Sequence, residues 1–264
     1  MEIMERRRRE TRRMPGKKKN QTITVENERN LIGDKLDFAA SEAYKLLRTN
    51  LMLSLTDEKS CHVIGITSSV AGEGKSSTAV NLAYFLAETD KRVLYIEADM
   101  RMPVLAERIN MPASPGLSNY LAGMCGINDA FRKSNIHNRL YVVTAGDVPP
   151  NPSELLASAK MEATLNALSE RFDYIIMDLP PVNVVADALI VSKMVDGIVL
   201  VVRKNYCRKK TLSEAIRRLK YLNARVLGIV MTRADYQEKK YSGKYGGYGK
   251  YGQYGKYAIK KEDA

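Results

Sequence analysis

Lys75 sits in a run built for holding phosphate. Small residues dominate Ser68-Ser-Val-Ala-Gly-Glu-Gly-Lys-Ser-Ser-Thr78, which follows a short β-branched run, Val63–Thr67, and opens a helical pattern. Against the spacing G-x4-G-K-[ST], Gly74, Lys75 and Ser76 match and Ser69 stands where the first glycine is expected. Backbone N–H groups of Ala71, Gly72, Glu73, Gly74, Lys75, Ser76 and Ser77 would wrap a phosphate, with the positive end of the following helix aimed at it. Lys75 would add a point charge near the β- and γ-phosphates, and Ser76 a hydroxyl ligand for Mg2+.

Two acidic strand ends supply what such a site needs next. Asp178 closes the apolar run Tyr174-Ile-Ile-Met-Asp, a position from which a carboxylate reaches Mg2+ directly or through water. Val93-Leu-Tyr-Ile-Glu-Ala-Asp-Met-Arg101 ends a second strand in Glu97 and Asp99, two residues apart. A strand's alternation would put both carboxylates on one face, converging on a metal or on an attacking hydroxyl, unless they are engaged by Arg101. The metal set is therefore Ser76, Glu97, Asp99 and Asp178; which carboxylate serves as the base is open.

The elements that must position these groups alternate along the chain. Strands are expected at Val63–Thr67, Val93–Ala98, Leu140–Thr144, Tyr174–Asp178, Gly197–Val202 and Val226–Met231. Helices are expected at Ser76–Glu88, Ser153–Arg171, Ala186–Met194 and Lys210–Leu222. A further amphipathic helix is expected within Leu36–Leu55, with Ser41 as its cap. Strands alternating with helices imply right-handed crossovers and a doubly wound α/β domain, a mostly parallel sheet with helices on both faces, here of the P-loop NTPase-like kind.

Both ends differ in composition from this body. The chain of 264 residues carries a net charge of +12, but residues 1–19 hold +6 and residues 236–264 hold +4, leaving +2 for the rest. That distribution fits charged end segments better than a nucleic-acid surface, and no nucleic-acid partner is expected. We expect a basic arm and lead-in over 1–35, a catalytic domain over 36–235 and a flexible tail over 236–264. The tail holds Tyr241, Tyr245, Tyr248, Tyr251, Tyr254 and Tyr257 among Gly, Lys, Ser and Gln, with few aliphatic residues to bury. The longest uncharged run, Ile109–Asn128, is broken by proline and glycine, so no membrane span and no secretory signal are expected. Cys61, Cys125 and Cys207 form no C-x-x-C pair, which predicts free thiols in a cytoplasmic protein without a structural metal.

These motifs together resemble those of the bacterial tyrosine kinases. The resemblance rests on Ala71-Gly-Glu-Gly-Lys-Ser76, Glu97-Ala-Asp-Met-Arg-Met-Pro103, Gly116-Leu-Ser-Asn-Tyr-Leu121, Gly146-Asp-Val-Pro-Pro-Asn-Pro-Ser-Glu-Leu-Leu156 and Asp178-Leu-Pro-Pro181, and spans roughly residues 36–257. It implies a kinase that transfers phosphoryl from MgATP to tyrosine, with Lys75, Glu97, Asp99 and Asp178 as the catalytic set. The six tail tyrosines would be its autophosphorylation region. Glu42-x-x-Lys45-x-x-Arg48 is similar to the family's E-x-x-R-x-x-R oligomerisation motif, with Lys replacing the first Arg, and implies a ring of subunits. Glu97 departs from the family's Asp by one methylene, on the order of 1 Å.

The resemblance implies partners as well. Lacking an anchor, the chain is similar to the split form of the family, in which a membrane adaptor activates a cytoplasmic kinase at the inner face of the membrane. It further implies a cognate tyrosine phosphatase, protein substrates in polysaccharide synthesis, and a role in capsule or exopolysaccharide production. The alternative is a regulatory ATPase similar to the partitioning and cell-division-site ATPases. Those carry a signature lysine early in the loop, where this chain has Val70, and they lack a tyrosine tail.

Overall fold

The computed structural model describes residues 31–55 and 58–234. The basic segment 1–30 and the tail tyrosines Tyr241, Tyr245, Tyr248, Tyr251, Tyr254 and Tyr257 lie outside the described residues.

Among the described residues, seven strands form one sheet: β1 (His62–Ser68), β2 (Val93–Glu97), β3 (Phe131–Lys133), β4 (Leu140–Val143), β5 (Tyr174–Asp178), β6 (Gly197–Arg203) and β7 (Val226–Thr232). Their order is β3-β4-β2-β5-β1-β6-β7, parallel throughout except where β3 pairs antiparallel with β4. The six expected strands form within one or two residues of their predicted ends. β3 was not expected, because three residues, Phe131-Arg-Lys133, show no usable alternation.

The helices are α1 (Phe38–Ser54), α2 (Lys75–Ala87), α3 (Leu105–Arg108), α4 (Leu117–Leu121), α5 (Ile127–Ala130), α6 (Pro152–Leu156), α7 (Ala159–Ser169), α8 (Asp187–Val191) and α9 (Lys209–Tyr221). Local chemistry corrects three expectations. The cap of α1 is Asp37, whose carboxylate accepts from Ala40 N at 2.7 Å, and Ser41 lies inside the helix. The single helix expected over Ser153–Arg171 is two, because Ser158 leaves helical conformation and accepts from Met161 N to start α7. The helix expected over Ala186–Met194 is shorter, ending at Val191.

Strand alternation divides the core into two layers. Ile64, Ile66, Val93, Tyr95, Tyr174, Ile176, Val199 and Val201 face α2 on one side. Val63, Leu94, Ile96, Ile175, Met177, Ile198 and Leu200 pack with residues of α4, α6, α7, α8 and α9 on the other. Helix α2 is buried from Thr78 through Ala87, as expected of a helix apolar on all sides. It lies between the sheet and α1, where the Tyr44 and Phe85 rings stack at 5.7 Å. Residues 31–35, expected to belong to the lead-in, are pinned to α2: Gly33 N donates to Asn81 Oδ1 at 2.9 Å, and Ile32 is buried. Because β1 and β5 are neighbours, the loop after β1 and the end of β5 meet at the carboxyl edge of the sheet, where open α/β sheets bind their ligands.

Candidate active site

The loop from Ser69 to Lys75 links β1 to α2. Gly72 and Gly74 have φ of +80° and +94°, a left-handed backbone that glycine adopts without strain. Ser69 is absent from the positive-φ positions, so the glycine expected there is not required by the backbone. Glu73 is fully buried and its carboxylate turns back into the loop, accepting from Val70 N at 2.9 Å and from Arg203 N at 3.3 Å. Thr232 Oγ1 donates to the Glu73 carbonyl at 2.7 Å. Thus Glu73 ties the loop to the ends of β6 and β7, and only its backbone is left to face a phosphate. Sequence alone gave no signal for this brace, since Arg203 and Thr232 are 130 or more positions away.

Lys75 is the centre of the site. Its ammonium donates to Asp99 Oδ2 at 2.8 Å, Ser76 Oγ at 3.1 Å and Asp178 Oδ1 at 3.3 Å. Burial alone would lower the Lys75 pKa, but Asp178 and Asp99 outweigh it and hold the amine above its ordinary value. One hydroxyl and two carboxylates therefore converge on a cation. This hard-oxygen set suits Mg2+, which commonly takes one or two carboxylates and leaves its other positions to water and substrate phosphate. Among the described residues, no three His, Cys, Asp or Glu side chains gather as a metal-binding group, so Glu97 does not complete the set.

Glu97 faces elsewhere. Its Oε1 accepts from Val104 N at 2.5 Å and Leu105 N at 2.7 Å, and its Oε2 accepts from Ala145 N at 3.1 Å. The convergence of Glu97 and Asp99 expected from alternation is not met, because β2 ends at Glu97 and Asp99 lies beyond it in the loop. Burial pushes the Glu97 carboxyl up; its three backbone donors pull it down, and Asp178 in the next strand adds to the rise. A cavity of about 180 Å³ opens beside it, lined by Glu97, Pro103, Val104, Glu107, Ala145 and Gly146.

Several partners of the site escaped sequence analysis. Tyr95, fully buried, donates its hydroxyl to Asp178 Oδ2 at 3.0 Å, so both oxygens of Asp178 are engaged. Arg108 donates to Ser77 Oγ at 2.8 Å, linking α3 to the first turn of α2. Arg101 engages neither Glu97 nor Asp99 through an ion pair. It bridges the fully buried Asp187 through Nε at 2.8 Å and Nη2 at 3.1 Å. The segments at Gly116 and Gly146 form one knot: Asn119 Oδ1 accepts from Gly116 N at 3.0 Å and Asp147 N at 3.2 Å, and Ser118 Oγ donates to the Asp147 carbonyl. That knot holds Ala145 N in place for Glu97.

The three residues of the expected oligomerisation motif divide. Glu42 and Lys45 form an exposed ion pair at 2.8 Å on the outer face of α1. Arg48 turns inward and donates to the Phe85 carbonyl at 2.8 Å, near the end of α2.

Known proteins share this sequence and fold. The family model of the AAA domain matches residues 61–227. The tyrosine-protein kinase CpsD of Streptococcus agalactiae is 36% identical over 208 residues, covering 78% of this chain and 89% of the relative. The tyrosine-protein kinase YwqD of Bacillus subtilis is 37% identical over 206 residues, covering 78% and 86%. Among solved structures, the kinase domain of the Escherichia coli tyrosine kinase ETK superposes with a TM-score of 0.69 at 32% identity, covering 77% of this chain and 80% of that one. The chimerical protein CapA2B2 gives 0.69 at 33% identity, covering 72% and 83%. The cell-division ATPase MinD of Pyrococcus furiosus gives only 0.55 at 26% identity, covering 66% and 74%.

Proposed function

The chain belongs to the bacterial tyrosine-protein kinases, built on an ATP-binding domain, and from that membership we propose that its own C-terminal tyrosine cluster is the acceptor. The observation that supports phosphoryl transfer at this site is the convergence of Lys75, Ser76, Asp99 and Asp178 at one edge of the sheet, beside a loop whose glycines open its backbone to phosphate.

In this mechanism the loop N–H groups and Lys75 bind the phosphates of ATP. A tyrosine hydroxyl attacks the γ-phosphorus in line; the new bond is phenolic O–P, and the bond to the bridging oxygen of ADP breaks. Ser76 and Asp178 would hold Mg2+, which when bound neutralises charge on the β- and γ-phosphates. Asp99 orients the phenol and takes its proton. It is favoured over Glu97 because it touches Lys75 directly, whereas the oxygens of Glu97 are held by three backbone amides. Glu97 instead fixes the start of α3 and the loop after β4, which border the cavity near the site.

Phosphorylation between subunits of a ring would bring one chain's tail to its neighbour's site. Support comes from the outer face of α1, where Phe38, Leu46 and Leu53 are exposed alongside Glu42 and Lys45. Arg48 would enter such an interface only by leaving the Phe85 carbonyl. No helix among the described residues is long and apolar enough to cross a membrane. By the likeness to the split CapA2B2 chimera, a membrane-anchored adaptor would recruit and activate the kinase at the inner face, a tyrosine phosphatase would reset it, and capsule or exopolysaccharide synthesis would supply further substrates.

The test is phosphotyrosine formation in Asp99→Asn and Asp178→Asn, each with nucleotide binding measured alongside. The expected result is that Asp99→Asn binds ATP and loses transfer, while Asp178→Asn loses Mg2+-dependent binding as well. Full transfer by Asp99→Asn would remove that residue from the role of base.

A further inference from the structure

On the face of the sheet away from α1 and α2, helices α8 and α9 leave a cleft that the kinase mechanism does not use. It opens as two adjoining cavities of about 450 and 320 Å³ that share Leu189 and Leu222. Its lining is mostly apolar, with Leu189, Leu222 and the exposed ring of Tyr221, joined by Arg217 and Lys193. Arg218, also lining the cleft, is paired with Glu214 at 2.8 Å, and Arg217 lies close enough to help hold the Glu214 carboxyl below its ordinary pKa. Helix α9 is basic along its length, with Lys209, Lys210, Arg217, Arg218 and Lys220 against Glu214 alone.

An apolar cleft bordered by cations that outnumber the single nearby carboxylate, Glu214, suits an aromatic ring that carries a dianion. Arginine binds phosphate through a planar fork of donors, and the slot walls accept the ring. We propose that the cleft between α8 and α9 binds a phosphorylated tyrosine of this chain's own C-terminal segment. The proposal rests on that segment being the kinase's acceptor.

Charge and reach both support this occupant. Unphosphorylated, residues 236–264 carry +4 and are repelled by α9. Each phosphotyrosine adds about −1.5 to −2, so six would bring the segment to about −5 to −8. The described chain stops at Ala234, just past β7, and Thr232 O accepts from Lys204 N at 3.1 Å at the end of β6, shortly before α9 begins. The described chain thus ends near the start of α9, and the cleft end of that helix is about 20 Å further along it. Seven extended residues, the separation from Ala234 to Tyr241, span about 23 Å, and the later tyrosines reach further.

The test uses the full chain carrying Lys75→Met, whose own tail stays unphosphorylated, and a fluorescent peptide of residues 236–264 made synthetically with phosphotyrosine, with tyrosine, or with phosphoserine at matched positions. Binding is read by anisotropy. The expected result is that the phosphotyrosine peptide binds at least tenfold more tightly than either control, and that Arg217→Glu combined with Lys193→Glu removes at least tenfold of that affinity. Both substituted residues are exposed, and an unchanged melting temperature shows that the fold is kept. Equal affinity for phosphotyrosine and tyrosine peptides, equal affinity for phosphoserine, or full affinity in the double variant would each overturn the proposal. Because the peptides are phosphorylated chemically, none of these outcomes depends on whether the kinase modifies its own tail.

Discussion

Tyr95 Oη lies 3.0 Å from Asp178 Oδ2, in the buried layer beneath the phosphate site, while the other oxygen of Asp178 meets Lys75. The two residues stand on adjacent parallel strands, β2 and β5, and their backbones keep that spacing rigid. A carboxylate with both oxygens committed has one orientation. Replacing Tyr95 with Phe keeps the ring and removes only the donor. We expect Tyr95→Phe to lose about 1–3 kcal/mol of stability, the cost of leaving a buried acceptor unpaired. The same variant should show a lower kcat with a smaller change in KM for ATP. Urea denaturation and steady-state kinetics measure the two effects, and wild-type values in both would remove Tyr95 from any positioning role.

Glu97 offers a separate prediction, because its charge is used by the backbone. Glu97→Gln brings an amide N–H2 group to where either Ala145 N or the Val104 and Leu105 amides now donate, so donor would face donor. The expected loss is about 1–3 kcal/mol, with ATP affinity nearly retained since Lys75 is not a partner of Glu97. Glu97→Asp should also lose stability, because the shorter side chain cannot span all three amides unless the loop after β4 moves. Isothermal titration with ATP and thermal unfolding separate these effects from a direct role in transfer.

The glycine knot should be intolerant of a single methyl. A Cβ at Gly116 would clash with Gly146 N, and one at Gly146 would clash with Asn119 Oδ1 on a backbone with φ of +82°. Gly116→Ala and Gly146→Ala should each cost about 1–3 kcal/mol, the range of overpacking, with Gly146 carrying in addition the strain of its positive φ. Gly123→Ala has open space around its Cβ, and only its positive φ opposes it, so its effect should be smaller. Melting temperatures of the three variants give the ranking.

Cys61 carries a pH prediction. Burial pushes its thiol up to about 11, with Asp196 and Asp173 adding to the rise and Ser169 opposing it. The folded protein holds this proton more tightly than the unfolded chain, so the stability associated with it is present below the ordinary thiol pKa and is lost as pH rises toward 11. Only the thiolate is the nucleophile, so alkylation of Cys61 at pH 8 should be far slower than that of an unperturbed exposed thiol. Rates with iodoacetamide between pH 7 and 10, read by peptide mass, check this.

Much of the scaffold could be read from residue order. The strands declare themselves as β-branched runs, the phosphate loop as spacing, and Asp178 as a strand end. Less legible was anything whose partners are far apart in the chain. Asp37 rather than Ser41 caps α1, since a choice between two capping residues depends on where the preceding chain packs. Glu97 looked like a second metal carboxylate because its partners, Val104, Leu105 and Ala145, are backbone amides and carry no side-chain signal. Arg101 meets Asp187 across 86 positions, and Tyr95 meets Asp178 across 83. Arg48 is a residue whose motif suggested an outward contact, but in a single chain the Phe85 carbonyl claims it.

The most direct test of the account is the intact mass of the purified chain after incubation with MgATP, compared with Lys75→Met treated in the same way, each with and without a candidate adaptor segment. The account predicts successive ~80 Da additions in the wild type alone, mapping to Tyr241 through Tyr257 and depending on the ammonium that joins Asp99, Ser76 and Asp178. ATP hydrolysis without any addition, or additions of equal extent in Lys75→Met, would contradict it.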